Sequence, residues 1–286
     1  MTENEMLEFI LSSQAPTGAF PSIICSRTKR YTDWNGFTTA HVLRALRSVP
    51  ESDILKNARH LALDFLKRCE SPEKPGAFCF WPKGMQPGRI PELPPDADDT
   101  SIILIEMIRN QRIDKCTARM IAHSVLLPYR LIDVPTPSPP WVRPGAFLTW
   151  LRPGRFNIVD CCVNANVIAL LSYLGLDDLE GFNETCEMIE DGIRWSKGLS
   201  FQTSTLTPFY PHRAEFVYAV DHAIECGAKQ LEESFRLMRD FGWVQCNEDI
   251  ENSEKKPICG NAYVGDVWYS QILDIARKFG NVPKNL

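Results

Sequence analysis

The chain predicts an all-α fold, a single α/α barrel or toroid of about five or six helical hairpins over residues 1–286, and three observations carry that reading. The tripeptide Gly-Ala-Phe begins at Gly18, Gly76 and Gly145, with spacings of 58 and 69 residues, each time between one helix-period segment and the next. Apolar residues recur at helical spacing between these turns, and no segment keeps a period-two strand pattern. No linker divides the chain into two domains.

In chain order, residues 4–13 read as a short amphipathic helix closed by Pro16-Thr17-Gly18. Asp33-Trp34-Asn35-Gly36 leads into a helix over 37–46, and 52–69, with Leu55, Leu61, Leu63, Phe65 and Leu66, continues the pattern. After the second turn, Pro75-Gly76-Ala77-Phe78-Cys79-Phe80-Trp81-Pro82, a Pro/Gly-rich loop runs to residue 95, followed by a helix to 110 and another over 114–130. The third turn leads through Asp160-Cys161-Cys162-Val163-Asn164-Ala165-Asn166 into a helix ending at Leu174. Two degraded units follow: helix 183–197, then Pro208-Phe209-Tyr210-Pro211 into 213–225; and helix 228–241, then Trp243 and a polar loop before 262–278.

Each unit thus sends an outer helix through a Gly-aromatic turn into an inner helix whose first residues are polar: Thr38-Thr39, Asp98-Asp99-Thr100, then Asn164 and Asn166. A barrel gathers the inner N-termini around one mouth. Asp96, Asp98, Asp99, Asn164 and Asn166 are therefore expected to converge on an apolar, aromatic-lined cavity.

With 44% hydrophobic and 10% aromatic residues over 286 positions, the chain can bury a sizeable core. A net charge of −5 with no long basic run argues against nucleic acid as a partner. Ten cysteines scattered through apolar helical segments, and an N-terminus without a signal-peptide pattern, point to a reduced, cytoplasmic protein. No stretch approaches the roughly 20 apolar residues of a spanning helix, so membrane contact is expected to be peripheral at most. Nothing in the sequence fixes an oligomeric state.

The densest chemical signal is Pro94-Pro95-Asp96-Ala97-Asp98-Asp99-Thr100, which runs straight into Ser101-Ile102-Ile103-Leu104-Ile105. One acid suffices to cap a helix. Three crowded together repel one another unless a proton, a metal or strong donors relieve the charge.

Asp96-Ala97-Asp98-Asp99-Thr100 resembles the Asp-x-Asp-Asp-(Thr) motif of class II terpene cyclases, the squalene-hopene cyclase family, and the Gly-x-Phe turns are similar to that family's repeats. At about half the length of the two-barrel enzymes, the chain resembles the single-barrel, bacterial monodomain meroterpenoid cyclases. The resemblance implies protonation of an isoprenoid alkene or epoxide by the middle aspartic acid, Asp98, with Asp96 and Asp99 holding and orienting the proton. Two-barrel enzymes support that acid with a histidine. No His lies near the motif in this sequence, so Asn166 or Asn164 is the expected support. The physical requirement stands by itself: protonating an alkene needs a neutral, strong carboxylic acid whose conjugate base is stabilised by donors.

A carbocation must then be shielded from water, which suits aromatic faces. Trp34, Phe78, Phe80, Trp81, Phe147, Trp150, Phe209, Tyr210 and Trp268 are the candidates: taken singly each reads as core packing, and as a set clustered in the inner turns they favour a cavity. Arg143, Arg152 and Arg155 flank the third turn and, taken together, suit an anionic head group, carboxylate or diphosphate. Taken singly, each reads as a solvated loop charge. Tyr210 and His212 are candidate terminating bases.

Three other readings remain. Asp160 and Cys162 with His212 or His222 are similar to the zinc ligands of protein prenyltransferase β subunits, also α/α barrels. An α/α-barrel glycosidase would need two carboxyls about 5–9.5 Å apart. A non-catalytic scaffold would use the aromatic pocket as a partner groove. The expectation is a cyclase acting on a small-molecule isoprenoid, a farnesyl or geranylgeranyl chain with an aromatic-acid or diphosphate head. It needs no cofactor beyond Mg²⁺ if the head is a diphosphate.

Overall fold

Burial sorts the helices into two sets. The computed structural model describes residues 1–87, 90–154, 157–244, 256–260 and 265–279. Helices α2 (Gly36–Ala45), α4 (Ala97–Arg109) and α6 (Cys161–Leu174) are buried on nearly every face, as expected of segments apolar all round. Helices α1 (Glu3–Ser12), α3 (Asp53–Arg68) and α7 (Phe182–Ser196), together with α10 (Glu232–Asp240), bury one face and leave the other to solvent.

The buried helices pack in succession: α2 on α4, α4 on α6, and α6 on α9 (Arg213–Glu225). Helix α11 (Gln271–Ala276) returns to pack on α2 and α1. Two links tie α9 back to this first end: Arg44 Nη2 donates to Tyr218 O at 3.2 Å, and Arg277 pairs with Glu215 at 2.7 Å. The amphipathic helices lie against this inner row, α3 on α2 and α4, α5 (Lys115–Ile121) on α4 and α6, α7 on α6, and α10 on α9 and α7.

The three Gly-Ala-Phe turns repeat in detail. Gly18, Gly76 and Gly145 hold φ of 93°, 86° and 90°, a backbone region open to glycine. Each glycine rests on an outer helix so closely that a Cβ would lie 2.0 Å from Leu61 O, 2.8 Å from Ile121 Cγ1 and 2.9 Å from Glu184 Cβ, respectively. The following Ala and Phe are buried in all three turns.

The structure departs from the expected all-α pattern in one respect. Four short antiparallel strands, β1 (Pro21–Cys25), β2 (Arg30–Trp34), β3 (Cys259–Gly260) and β4 (Val267–Tyr269), form a sheet in the order β2-β1-β4-β3. Consequently the expected helix over 262–278 starts only at Gln271, capped by Ser270, after the strand-forming Val267-Trp268-Tyr269; its residues 261–264 lie outside the described set. The helix expected over 114–130 is regular only to Ile121 and continues as irregular helical turns through Tyr129. A short helix α8 (Ser200–Leu206) was not anticipated.

Among the described residues no helix is long and apolar enough to cross a membrane.

Candidate active site

Three inner helices begin alike. Asn35 Oδ1 accepts from Thr38 N at 2.7 Å, Asp96 Oδ1 from Asp99 N at 2.7 Å, and Asp160 Oδ1 from Cys162 N at 2.7 Å and Val163 N at 3.1 Å. Four residues beyond each cap, a polar side chain fastens the helix to the turn. Phe20 N donates to Thr39 Oγ1 at 3.1 Å, Phe78 N to Thr100 Oγ1 at 2.9 Å, and Phe147 N to Asn164 Oδ1 at 2.8 Å. Capping and clamping thus account for Asp96, Thr100 and Asn164. They leave Asp98 and Asp99 unexplained by local structure.

Backbone bonds fix the acidic stretch between the second and third turns: Asp96 N donates to Phe78 O at 3.2 Å, Ala97 N to Thr149 O at 2.8 Å, and Leu151 N to Pro95 O at 3.0 Å. The first turn of α4 therefore faces a cavity of about 520 Å³ lined by Asp96, Asp98, Asp99, Phe37, Phe80, Trp150, Phe209, Tyr210 and Trp268, with Glu92, Arg152 and Asn157 among its polar residues.

Asp98 is buried, and two donors reach it from other elements. Asn166 Nδ2 on α6 donates to Oδ1 at 2.7 Å, and the Tyr210 hydroxyl donates to Oδ2. Burial pushes the Asp98 carboxyl up to about 6, against the pull of Tyr210 and then Asn166, both of which favour the charged form. Burial, reinforced by the Asp98 charge, raises the Tyr210 phenol well above its ordinary range, so its oxygen keeps the proton it donates.

Asp96 is raised to about 7 by burial and by the charge of Asp98; Asp99 is raised well above the carboxylate range by burial and by both neighbours. Asp96 meanwhile accepts the Asp99 backbone N–H, which pulls it back toward the charged form, so of the two carboxyls Asp99 is the one held further up. The Asp99 Oδ1 atom is buried without a partner. All three acids are thus held above the ordinary carboxylate range, Asp99 furthest, and Asp98, raised to about 6, lies between two donors in an aromatic cavity.

The remaining residues singled out in the sequence divide. Phe80, Trp150, Phe209, Tyr210, Trp268 and Arg152 line the cavity. Trp81 lines an adjoining one of about 500 Å³. Phe78 and Phe147 are wholly buried behind the turns, where the clamp bonds hold their backbones. Trp34 lies on β2 with 40% of its surface exposed, outside the cavity lining. Arg143 faces outward, with its guanidinium on Asp191 and, at 2.5 Å, on Glu187. Arg155 lies outside the described residues. Asn164 is engaged by Phe147, so of the two asparagines it is Asn166 that touches Asp98.

Sequence reasoning passed over Phe37, Asp33 and the donor role of Tyr210. Phe37 had a readable signal: it stands two residues after the Asn35 cap, where Asp98 stands relative to Asp96.

No protein-family model matches the sequence, and no curated protein matches it. Among solved structures, an arginine-to-alanine variant of the type II terpene cyclase MstE from Scytonema, in complex with geranylgeranyl dihydroxybenzoate (substrate), aligns with a TM-score of 0.48 at 14% identity, over 97% of this chain and 94% of that one. The apo form of MstE aligns with a TM-score of 0.45 at 13% identity, over 97% and 95% of the two chains. A protein from Actinoplanes gives 0.46 at 15% identity, over 97% and 96%.

Residues that the zinc reading would use are engaged otherwise. Asp160 Oδ1 caps α6 and its Oδ2 accepts Phe209 N at 3.0 Å. Burial, then the Asp160 charge, pushes the Cys162 thiol far up, which keeps it protonated. His212 Nδ1 accepts from Ala214 N at 3.2 Å, and His222 Nε2 lies 3.2 Å from Arg109 Nη1. The glycosidase reading needs separated carboxyls, whereas Asp96, Asp98 and Asp99 crowd at the start of one helix.

Proposed function

We propose that this protein is a class II terpene cyclase, which starts ring closure of a linear prenyl chain by protonating its terminal alkene or epoxide. The observation that carries the reading is the setting of Asp98: a buried carboxyl with a raised pKa, held by Asn166 and Tyr210, in an aromatic cavity.

In this reading Asp98 transfers its proton to the alkene, and the carboxylate left behind is stabilised by the Asn166 amide N–H and the Tyr210 hydroxyl. Both donors strengthen the acid by favouring its conjugate base. Substrate filling the cavity excludes water, which raises Asp98 further and keeps it protonated before reaction. The Asp99–Asp96 pair keeps a second proton close by and limits the negative charge around Asp98. The new cation closes rings against Phe80, Trp150, Phe209 and Trp268, whose faces attract positive charge without capturing it. Loss of a proton gives a product isomeric with the substrate, and capture of water gives its hydrate. A proton from solvent returns Asp98 to its starting state.

The proposal extends to the frame: residues 1–286 act as one unit, with the inner row from α2 to α9 closed by α11 into an α/α barrel whose mouth carries the acids. Arg152, the cation among the described lining residues, suits an anionic head group, and the substrate is a farnesyl or geranylgeranyl chain bearing an aromatic acid, as in the MstE complex, or a diphosphate. A diphosphate head would bring Mg²⁺ with it.

The test is incubation with farnesyl and geranylgeranyl diphosphates and with geranylgeranyl dihydroxybenzoate, followed by mass spectrometry and product analysis. A cyclic product of unchanged mass, or heavier by one water, is expected from at least one of them. Recovery of every substrate unchanged contradicts the proposal.

A further inference from the structure

Behind the aromatic side of the cavity lies another buried carboxylate. Asp33, on β2, is 3% exposed. Its Oδ1 accepts the Trp81 indole N–H at 2.9 Å, while its Oδ2 accepts the Trp268 indole N–H at 2.9 Å and an Asn35 amide N–H at 2.8 Å. These donors come from the second Gly-Ala-Phe turn, from β4 and from the cap of α2, the β4 donor 235 residues from Asp33 in sequence.

The two indoles and Phe80 form a cluster in which each ring meets the other two, the indoles 6.2 Å apart. Ring centroids lie 4.6 Å apart for Phe80 and Trp81 and 5.5 Å apart for Phe80 and Trp268, both edge to face. Phe80 stacks on Phe37 at 6.1 Å, and Phe37 lies 6.0 Å from Tyr210, the donor to Asp98. A continuous row of rings therefore joins Asp33 to the proposed acid, and Phe37, Phe80, Trp268 and Tyr210 in that row line the cavity.

A neutral acceptor would satisfy two indole N–H groups without the desolvation that an ionised group suffers on burial. Burial does push the Asp33 carboxyl up, while its three side-chain donors pull it back toward the charged form. A carboxylate at this point has two electrostatic effects. It polarises both N–H bonds, which enriches the indole faces, and it sets a negative charge behind a low-dielectric wall.

We propose that Asp33 is a positioning residue for the cyclisation: it clamps the Trp81 and Trp268 indoles by their N–H edges and sets a fixed negative charge behind the Phe80–Trp268 wall, which then favours cationic over neutral occupants of the cavity. The role rests on the cyclase reading above. It involves no bond to substrate.

The test compares two ligands that share one prenyl chain and differ in head-group charge, farnesyl dimethylammonium ion and neutral farnesol, by calorimetric titration of the full chain, with near-UV circular dichroism reporting on the indoles. Asp33→Asn is expected to weaken the ammonium ion by about tenfold while farnesol stays within about twofold. Trp81→Phe, which keeps a ring outside the main cavity and deletes one donor, is expected to lower the ammonium-to-farnesol ratio in the same direction and serves as the test if Asp33→Asn does not fold. An unchanged ratio in either variant overturns the proposal, and so does an equal loss of both ligands, the mark of a merely structural staple. Turnover by Asp98→Asn decides the cyclase reading separately, because these titrations require no catalysis.

Discussion

Asn166, on the third inner helix, donates its amide N–H to Asp98 Oδ1 at 2.7 Å across 68 residues of sequence, and the Tyr210 hydroxyl takes the other oxygen of the same carboxyl. The proposed acid is thus assembled from three units of the repeat. Its strength depends on donors that no local sequence feature supplies.

Removing either donor should weaken the acid without removing it. Asn166→Ala and Tyr210→Phe are each expected to lower kcat by about 10- to 100-fold, the cost of one hydrogen bond to a charged group, and to move Asp98 upward. Steady-state kinetics with pH titration checks both parts. A wild-type kcat in both variants would remove these residues from the proton transfer.

The reactive form of Asp98 is protonated, so activity should fall as pH rises. With its carboxyl pushed up to about 6, kcat/KM in the free enzyme is expected to hold below that value and decline by about tenfold per unit above it. In Asn166→Ala the decline should begin at higher pH. A pH-rate profile measures both, and a rise through the same window would point to a base in place of an acid.

The repeat itself is open to test through its glycines. Gly18 and Gly84 both hold positive φ, 93° and 77°, but a Cβ at Gly18 would lie 2.0 Å from Leu61 O, whereas one at Gly84 meets nothing within 4 Å. Alanine at Gly84 should cost about 1–2 kcal/mol from backbone strain alone. Gly18→Ala should cost clearly more, since the turn must also move off α3. Chemical denaturation gives both values, and equal losses would show that close packing of the turn on α3 is not what fixes this glycine.

What the sequence made legible follows from how local each signal was. The Gly-Ala-Phe turns could be read because a positive φ against an outer helix admits little but glycine, as at Gly18 and Gly76, and the helix over 213–225 carried its own period. The sheet could not: β1 turns Ser22 and Ile24 inward and leaves Ile23 44% exposed, so its apolar residues do not alternate, and its partner β4 lies more than 240 residues downstream. At the site, Asp96, Asp98 and Asp99 announced themselves by crowding. Tyr210 was legible as an aromatic and a candidate base but not as the donor to Asp98, a bond that spans 112 residues, and Asp33 carried no local signal of the Trp81 and Trp268 indoles that meet on it. Arg143 drew attention by its place beside the third turn, yet two acids on α7 claim it.

The most direct measurement is turnover by Asp98→Asn on whichever prenyl substrate the wild-type protein cyclises, with thermal unfolding run alongside. The amide keeps the shape of the carboxyl and its place between Asn166 and Tyr210 but has no acidic proton to give. A folded variant with cyclisation lost, by about 1,000-fold or more, is the result expected of a sole proton donor. A folded variant that cyclises at the wild-type rate would contradict the assignment of Asp98 as the acid.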